Sequence, residues 1–343
     1  MEIRVLYCAR TVEDRHWAIT SLSPYEEVLP GRAIRWLDRA AHFNPSITKM
    51  LQRETFHLFV LSNYAAPTTQ IAMRYLTWQK KPWVFWGEVP GFRQRGRLGR
   101  LVRYQLQRPI ANGATAVAAI GSEAADVYKA LFPGIRVFNI PYFCDLAQFK
   151  TAATARWTQK KHTVNVLFSG QLIERKGVDL LIGAFVQISD QVPELQLQLL
   201  GTGPGLNTLM EMIPSELRDR IHFLGFQQSP ALPEIFAAAD IFVLPSRHDG
   251  WGVVVNEALG AGLPIVVSDR VGARDLVGHG CNGFITVAGD VDGLAGALLK
   301  LGRSGDMRKS FGRSSAERAA HWDVDEGVQR WVELCGQVLA NKQ

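Results

Sequence analysis

The chain of 343 residues is poor in cysteine: Cys8, Cys144, Cys281 and Cys335 are scattered, with no CxxC pair. That usage argues against a zinc site and for a reducing cytoplasm. No apolar run approaches the roughly 18 residues that a spanning helix needs. The opening Met1-Glu-Ile-Arg-Val-Leu reads as a first strand rather than a leader. Internal repeats and low-complexity segments are absent, and no nucleic-acid module is visible. The first strand runs into Cys8-Ala-Arg-Thr-Val without a glycine, which argues against a dinucleotide-binding dehydrogenase. The later cluster Gly201-Thr-Gly-Pro-Gly205 is no substitute, because Pro204 replaces the helix-opening pattern and the cluster sits mid-chain.

What is present is a chain that is 47% hydrophobic and long enough to bury two cores. Short apolar runs at 3–8, 57–61, 83–86, 116–120, 137–140, 164–169, 195–200, 222–223, 241–244 and 265–267 alternate with helical periodicity. Such alternation predicts an α/β fold with parallel sheets covered by helices. A polar segment, 150–161, separates two such sets, giving domains at 1–150 and 160–320. Ligands of parallel sheets bind at the carboxyl ends of the strands. The charge is uneven: residues 1–150 hold twenty Lys and Arg against eleven Asp and Glu, a net of +9, and the remainder is −3. The positive field therefore belongs to the first half.

The most informative stretch is Ser246-Arg-His-Asp-Gly-Trp-Gly-Val-Val-Val-Asn-Glu-Ala-Leu-Gly-Ala-Gly-Leu-Pro-Ile-Val-Val-Ser-Asp269. A buried strand at 241–244 ends in Pro245, and Gly250 and Gly252 free the backbone for a tight turn. A helix follows at 253–261, closed by Gly262 and Pro264. The unpaired N–H groups at its start suit a diphosphate. Glu257, one turn in and on the face of Val253, leans toward that end and can reach a diol beside the phosphates. Asp249, before the turn, is placed to hold sugar hydroxyls. The ligand class is a sugar nucleotide.

A second loop agrees. The strand 164–169 runs into Gly170, and a helix begins at Gly177 with Lys176 beside it, a position suited to a diphosphate. Asp290-Val-Asp292 mimics a metal-binding pair, but it opens a helix at 293–301, and N-capping is the better reading; no metal is expected. Glu88, after the strand 83–86, is a candidate acid, base or acceptor binder, and a cap is as good a reading. His16 and His248 are further cleft candidates. Residues 92–108 carry Arg93, Arg95, Arg97, Arg100, Arg103 and Arg108 and no acid, with Leu98, Leu101, Val102 and Leu106 at helical spacing. Three readings stay open: contact with an anionic membrane, binding of an anionic acceptor, or a solvated helix with its leucines in the core.

Asp249 and Glu257, with seven residues between them and Ala-Leu-Gly-Ala-Gly-Leu-Pro-Ile-Val after them, resemble the acid-x7-acid signature of retaining GT-B glycosyltransferases, family 4 (glycosyl transferases group 1). Residues 166–185 resemble the family's phosphate loop, 199–204 its next strand and turn, and 221–226 its base-side loop. Residues 139–149 resemble more weakly the segment that closes the first domain. The resemblance implies two facing Rossmann-like domains with a cleft between them, and a C-terminal helix (about 325–343) returning to the first. It implies transfer of a sugar, with retention, from a nucleotide sugar (UDP- or GDP-linked) to a glycan or lipid-linked acceptor in the cytoplasm or at the inner membrane face. No cofactor is implied. Glu257 would bind the ribose, Asp249 the transferred sugar, and Lys176 the diphosphate. Ser169, Gly170, Gln171 and Arg175, with the backbone of Gly250, Trp251, Gly252, Val253 and Val254, would complete the donor site. Two departures stand out: Asp249 replaces a Glu, and Gln171 replaces an Arg, for which Arg175 is a substitute. A non-catalytic sugar-nucleotide-binding subunit and a sugar-nucleotide epimerase are the alternatives.

Overall fold

The structure is a computed structural model that describes residues 2–9, 22–34, 41–53, 55–90, 96–153 and 162–340. Its contacts divide the chain into two units: Met1–Ile140 with Arg330–Gln343, and Pro141–Gln329.

In the first unit a four-stranded parallel sheet runs in chain order, Phe59–Ser62, Trp83–Gly87, Ala116–Ala119 and Arg136–Asn139. The helices Pro67–Trp78, Arg97–Gly113 and Ser122–Leu131 connect successive strands, as parallel pairing requires. The pleat splits Trp83–Gly87 between two cores. Trp83 and Phe85 pack with Met73, Leu76, Ile110 and Tyr128. Val84 faces the other way, with Ala116, Ala118, Leu334 and Val338. Trp86 meets Trp331 edge-on at 5.5 Å. Leu334 and Val338 lie on the last helix, Val324–Ala340, which begins one residue before the expected 325. The expected first strand is shorter than read, Val5–Tyr7, and pairs with Glu26–Val28 instead of joining the main sheet. Ile3 remains exposed, so a strand over 3–8 has no apolar reason to extend.

The second unit holds a six-stranded sheet, parallel throughout. Its spatial order is Ile221–Gly225, Leu195–Leu200, Val164–Ser169, Ile241–Leu244, Ile265–Ser268 and Gly283–Thr286. In the chain order of this unit that is 3-2-1-4-5-6, a doubly wound sheet whose direction of travel reverses between Val164–Ser169 and Ile241–Leu244. Nearly every residue of these two strands is buried, as a sheet covered on both faces demands. The sixth strand was not expected from the sequence. It lies so close to its neighbour that a Cβ on Gly283 would sit 1.9 Å from the carbonyl oxygen of Ile265.

The division after Ile140 comes earlier than the expected 150. Helix Ala147–Ala153 packs on helix Leu232–Ala238, with Phe149 edge-on to Phe236 at 5.4 Å. Lys150 is ion-paired with Asp323 of the same unit. Of the expected linker, 150–153 therefore close a helix, and 154–161 lie outside the described residues.

Candidate active site

The reversal in the second sheet leaves two strand ends side by side, Ser169-Gly170 and Leu244-Pro245, and the crevice beyond such a point is where open α/β sheets take ligands. Two loops leave these ends, and close backbone contacts lock them. After Gly170 the chain makes a short 3₁₀ turn, Glu174–Lys176, and enters helix Val178–Ile188 through Gly177. Gly177 has φ +70°, and a Cβ there would lie 2.3 Å from the Pro245 carbonyl oxygen, so only glycine allows this approach. Arg247 clamps the same loop. Its guanidinium donates to both carboxylate oxygens of Asp179 at 2.7 and 2.5 Å and to the Glu174 carbonyl at 2.7 Å. Its backbone N–H donates to the Arg175 carbonyl at 2.9 Å. The bidentate geometry fixes orientation as well as distance, and the Arg247 hydrogen bond holds the Asp179 carboxyl below its usual range.

Arg175 and Lys176 are thereby aimed at the second loop. Lys176 Nζ lies 2.5 Å from Asp249 Oδ2, and the two side chains are only 12% and 11% exposed. Arg175 approaches Asp249 Oδ1 at 3.6 Å and donates to the His248 carbonyl at 2.9 Å. Asp249 is held by its own backbone, whose N–H reaches the Arg270 carbonyl at 2.9 Å and whose carbonyl accepts from Gly272 at 3.0 Å. Gly252 then takes φ +93°, a backbone conformation that favours glycine, with Leu244 Cδ2 2.9 Å from where a Cβ would lie.

Helix Val254–Gly260 follows, one residue shorter at each end than read from sequence. Its first hydrogen bond runs from Val255 N–H to the Gly252 carbonyl at 2.9 Å. The N–H groups of Gly252, Val253 and Val254 precede that bond and carry the positive end of the helix. At the other end Gly262 has φ +61°; its N–H bonds to Leu259, and Leu263 N–H bonds back to Ala258, a Schellman closure.

Glu257 lies one turn into this helix. Its Oε2 is buried with no hydrogen-bond partner among the described residues. Burial alone pushes its carboxyl up to about 7. Cys144 is close enough to feel it: the thiol is pushed up to about 12, first by burial, then by the charges of Glu257 and Asp323. The Trp251 side chain is 1% exposed and turned inward. Its Nε1 donates to Asn256 Oδ1 at 2.9 Å, and Asn256 donates to the Tyr142 carbonyl at 3.1 Å. Trp251 thus leaves only its backbone for a ligand.

Lys176, Arg175 and Asp249 are brought into direct contact, with the backbone of 250–254 and Glu257 following on the same loop and helix. Ser169, Gly170 and Gln171 stand at the end of the neighbouring strand. Glu88 belongs to the first unit, where its carbonyl accepts from the Tyr128 hydroxyl at 2.8 Å. Arg97, Arg100 and Arg103 also lie there, on helix Arg97–Gly113, while Arg93, Arg95 and His16 lie outside the described residues. The sequence reading missed Arg247, Asp179, Asn256 and Cys144. Its one available signal was an arginine two positions before Asp249; nothing in the sequence joined that arginine to Asp179.

Residues 150–318 match the family of glycosyl transferases group 1. That span, just under half of the chain, holds Lys176, Asp249 and Glu257 and excludes Glu88 and the arginine-bearing helix. Mannosylfructose-phosphate synthase of Agrobacterium fabrum (strain C58 / ATCC 33970) is 30% identical over 184 residues, 51% of this chain and 39% of that protein. A GDP-mannose-dependent alpha-(1-6)-phosphatidylinositol monomannoside mannosyltransferase of Mycolicibacterium smegmatis is 30% identical over 233 residues, 64% of this chain and 60% of that one. The chain spans less than two thirds of the length of these relatives. Among solved structures, sucrose-phosphate synthase from Thermosynechococcus elongatus superposes with a TM-score of 0.76 at 20% identity, covering 97% of this chain and 88% of that one. HepE of Anabaena in complex with UDP gives 0.74 at 21% identity, covering 91% and 86%. The α/β fold of the GT-B glycosyltransferases is the fold of this chain.

Proposed function

We propose that the protein transfers a sugar from a nucleotide-diphosphate sugar to an acceptor hydroxyl with retention, as an enzyme of the family 4 type working in the cytoplasm. The carrying observation is the Lys176–Asp249 pair, seated at the reversal of the sheet, on the loop that leads to the N–H groups of 252–254 and to a buried carboxylate oxygen, none of which has a partner among the described residues. A nucleotide sugar would supply partners to the N–H groups and to Glu257, and would exchange partners with the Lys176–Asp249 pair. The diphosphate takes Lys176, Arg175 and the helix N–H groups. Asp249, released from Lys176, accepts the hydroxyls of the transferred sugar. The ribose diol donates to Glu257, whose Oε2 otherwise remains buried and unsatisfied.

In this reading the bond between the anomeric carbon and the diphosphate breaks through an oxocarbenium-like state. The acceptor oxygen forms the new bond on the face the leaving group vacates, and the acceptor proton passes to the departing diphosphate. Lys176 and the N–H groups stabilise the charge that develops there. The reading gives this charge to the chain's own donors and calls on no metal. Glu88 is the acceptor-side candidate. The GDP-mannose dependence of one relative and the UDP in one structural neighbour support a uridine or guanosine diphosphate donor. A sugar-nucleotide-binding subunit without turnover is the second reading, favoured by the uncharged Gln171 beside the phosphate loop.

A thermal-shift panel of uridine and guanosine diphosphates and their sugars tests the donor. A ligand at a hundred times its Kd adds about 2.7 kcal/mol of stability, enough to move the midpoint by several degrees. No shift with any of them would overturn the donor site. A shift without transfer to any acceptor would select the second reading.

A further inference from the structure

Helix Arg97–Gly113 shows solvent a face that no water-soluble surface needs. Leu98 is 75% exposed, Leu101 55%, Val102 45% and Tyr104 63%. The reading that buried these leucines in the core is therefore corrected: Gln107 and Ile110 are the buried residues of this helix. Leu98, Val102, Gln105, Pro109 and Asn112 recur at spacings of four and three and so share one face. The face continues into a cleft of about 290 Å³ between Pro109, Asn112, Arg74, Thr77 and Trp78. Trp78, at the end of the neighbouring helix Pro67–Trp78, is 74% exposed. Gln70 Nε2 ties the two helices rigidly by donating to the Leu106 carbonyl at 2.7 Å. Exposed Arg97, Arg108 and Arg74 flank this stripe, and no acidic residue occurs between Glu88 and Glu123.

We propose that this face docks onto an anionic phospholipid bilayer. Leu98, Leu101, Val102 and Trp78 enter the boundary between headgroups and acyl chains, and the flanking arginines meet lipid phosphates. Apolar side chains at a helix surface with a basic border and little overall hydrophobicity are what an in-plane, peripheral helix requires. Tryptophan favours that same layer. Charge argues against a second copy as the occupant: an isologous contact would press each arginine cluster against its twin. The docking face belongs to the first unit alone and does not depend on the donor chemistry.

Vesicle co-sedimentation tests it, with pure phosphatidylcholine against phosphatidylcholine in which roughly a third of the lipid is replaced by anionic phosphatidylglycerol. The expected result is binding to the anionic vesicles at least ~10-fold tighter than to the neutral ones. A Leu98→Ser, Leu101→Ser, Val102→Ser variant loses at least ~10-fold of that affinity, because its contribution scales with buried apolar area. It keeps its melting midpoint and its nucleotide thermal shift, since all three side chains are exposed. Equal binding to both vesicles, binding to neither, or an unchanged triple variant would overturn the proposal. So would a concentration-dependent dimer that the same substitutions abolish, which would assign the face to a second copy.

Discussion

Asp249 and Glu257 stand eight residues apart on one loop and helix and meet opposite surroundings. Asp249 is paired at 2.5 Å with Lys176, approached by Arg175, and pinned through its own backbone. Glu257 has an oxygen in the interior with no hydrogen-bond donor among the described residues, and burial pushes its carboxyl up to about 7. Two carboxylates placed so differently are suited to different tasks. The first is balanced without ligand and must exchange one partner for another when the donor arrives. The second is incomplete without ligand and gains partners only then. The comparison separates a residue whose loss frees a buried lysine from one whose loss relieves a buried acid.

The largest effect is expected where the pair is broken. Lys176→Met leaves the mostly buried Asp249 carboxylate with only the longer Arg175 contact at 3.6 Å, which costs up to about 3 kcal/mol, the low end of the penalty for breaking a buried pair. It also takes a donor from the developing charge on the leaving group, lowering kcat by about 10²–10³-fold. Denaturant melts and steady-state kinetics measure the two effects. A variant with wild-type stability and turnover would show that the pair is ornamental.

Glu257→Ala is expected to do the reverse: most activity and donor affinity go, while stability holds or rises, because an unsatisfied buried group is removed. Isothermal titration with the nucleoside diphosphate that shifts the melting midpoint, together with a melt, decides it. Falling stability with unchanged donor binding would mean that Glu257 is a packing residue.

The pH dependence sharpens the contrast further. The folded state holds the Glu257 proton up to about 7, whereas the unfolded chain releases it near the ordinary 4.5. Between those values the native state binds more protons than the unfolded one, so stability falls as pH rises through this window. The loss is at most about 3 kcal/mol at pH above 7. Glu257→Gln removes it and flattens the melting midpoint between pH 5 and 8. Ribose hydroxyls donate to the ionised carboxylate, so wild-type donor affinity rises over the same range. A midpoint that rises with pH in wild type and not in Glu257→Gln would reverse the sign and refute the assignment.

Much of this site was legible in the sequence because its parts are local. A glycine-flanked acid pair opening a helix, and a lysine beside Gly177, are read from neighbours in the chain. What joins them is long-range: Arg247 to Asp179, and Gly177 against the Pro245 carbonyl, depend on which strands adjoin, and the periodicity of a strand does not encode its place in a sheet. The strand Gly283–Thr286 was hidden by its glycine and polar end, and the first strand was overread because an apolar run does not say what will cover it. Of the segment read as a helix, 92–108, the part from Arg97 is helical and the helix runs on to Gly113; its exposed side could not be read, since leucines at helical spacing suit a core and a surface equally.

The smallest effect expected concerns the clamp rather than either acid. Arg247 and Asp179 are each about one-third exposed, so their direct contribution to stability is that of a partly solvated pair, about 1 kcal/mol or less. Their importance would lie in placement. Arg247 joins the loop bearing Asp249 to the turn bearing Arg175 and Lys176, and it contacts none of the ligand groups proposed above. Arg247→Ala should therefore lower melting stability slightly and affect turnover more, through a Lys176 that no longer holds its aim. A double-mutant cycle with Asp179→Ala isolates the pair. Coupling in kcat larger than coupling in stability marks a positioning role. Equal coupling in both would reduce the clamp to an ordinary surface ion pair and leave the alignment of Lys176 to Gly177 and the backbone alone.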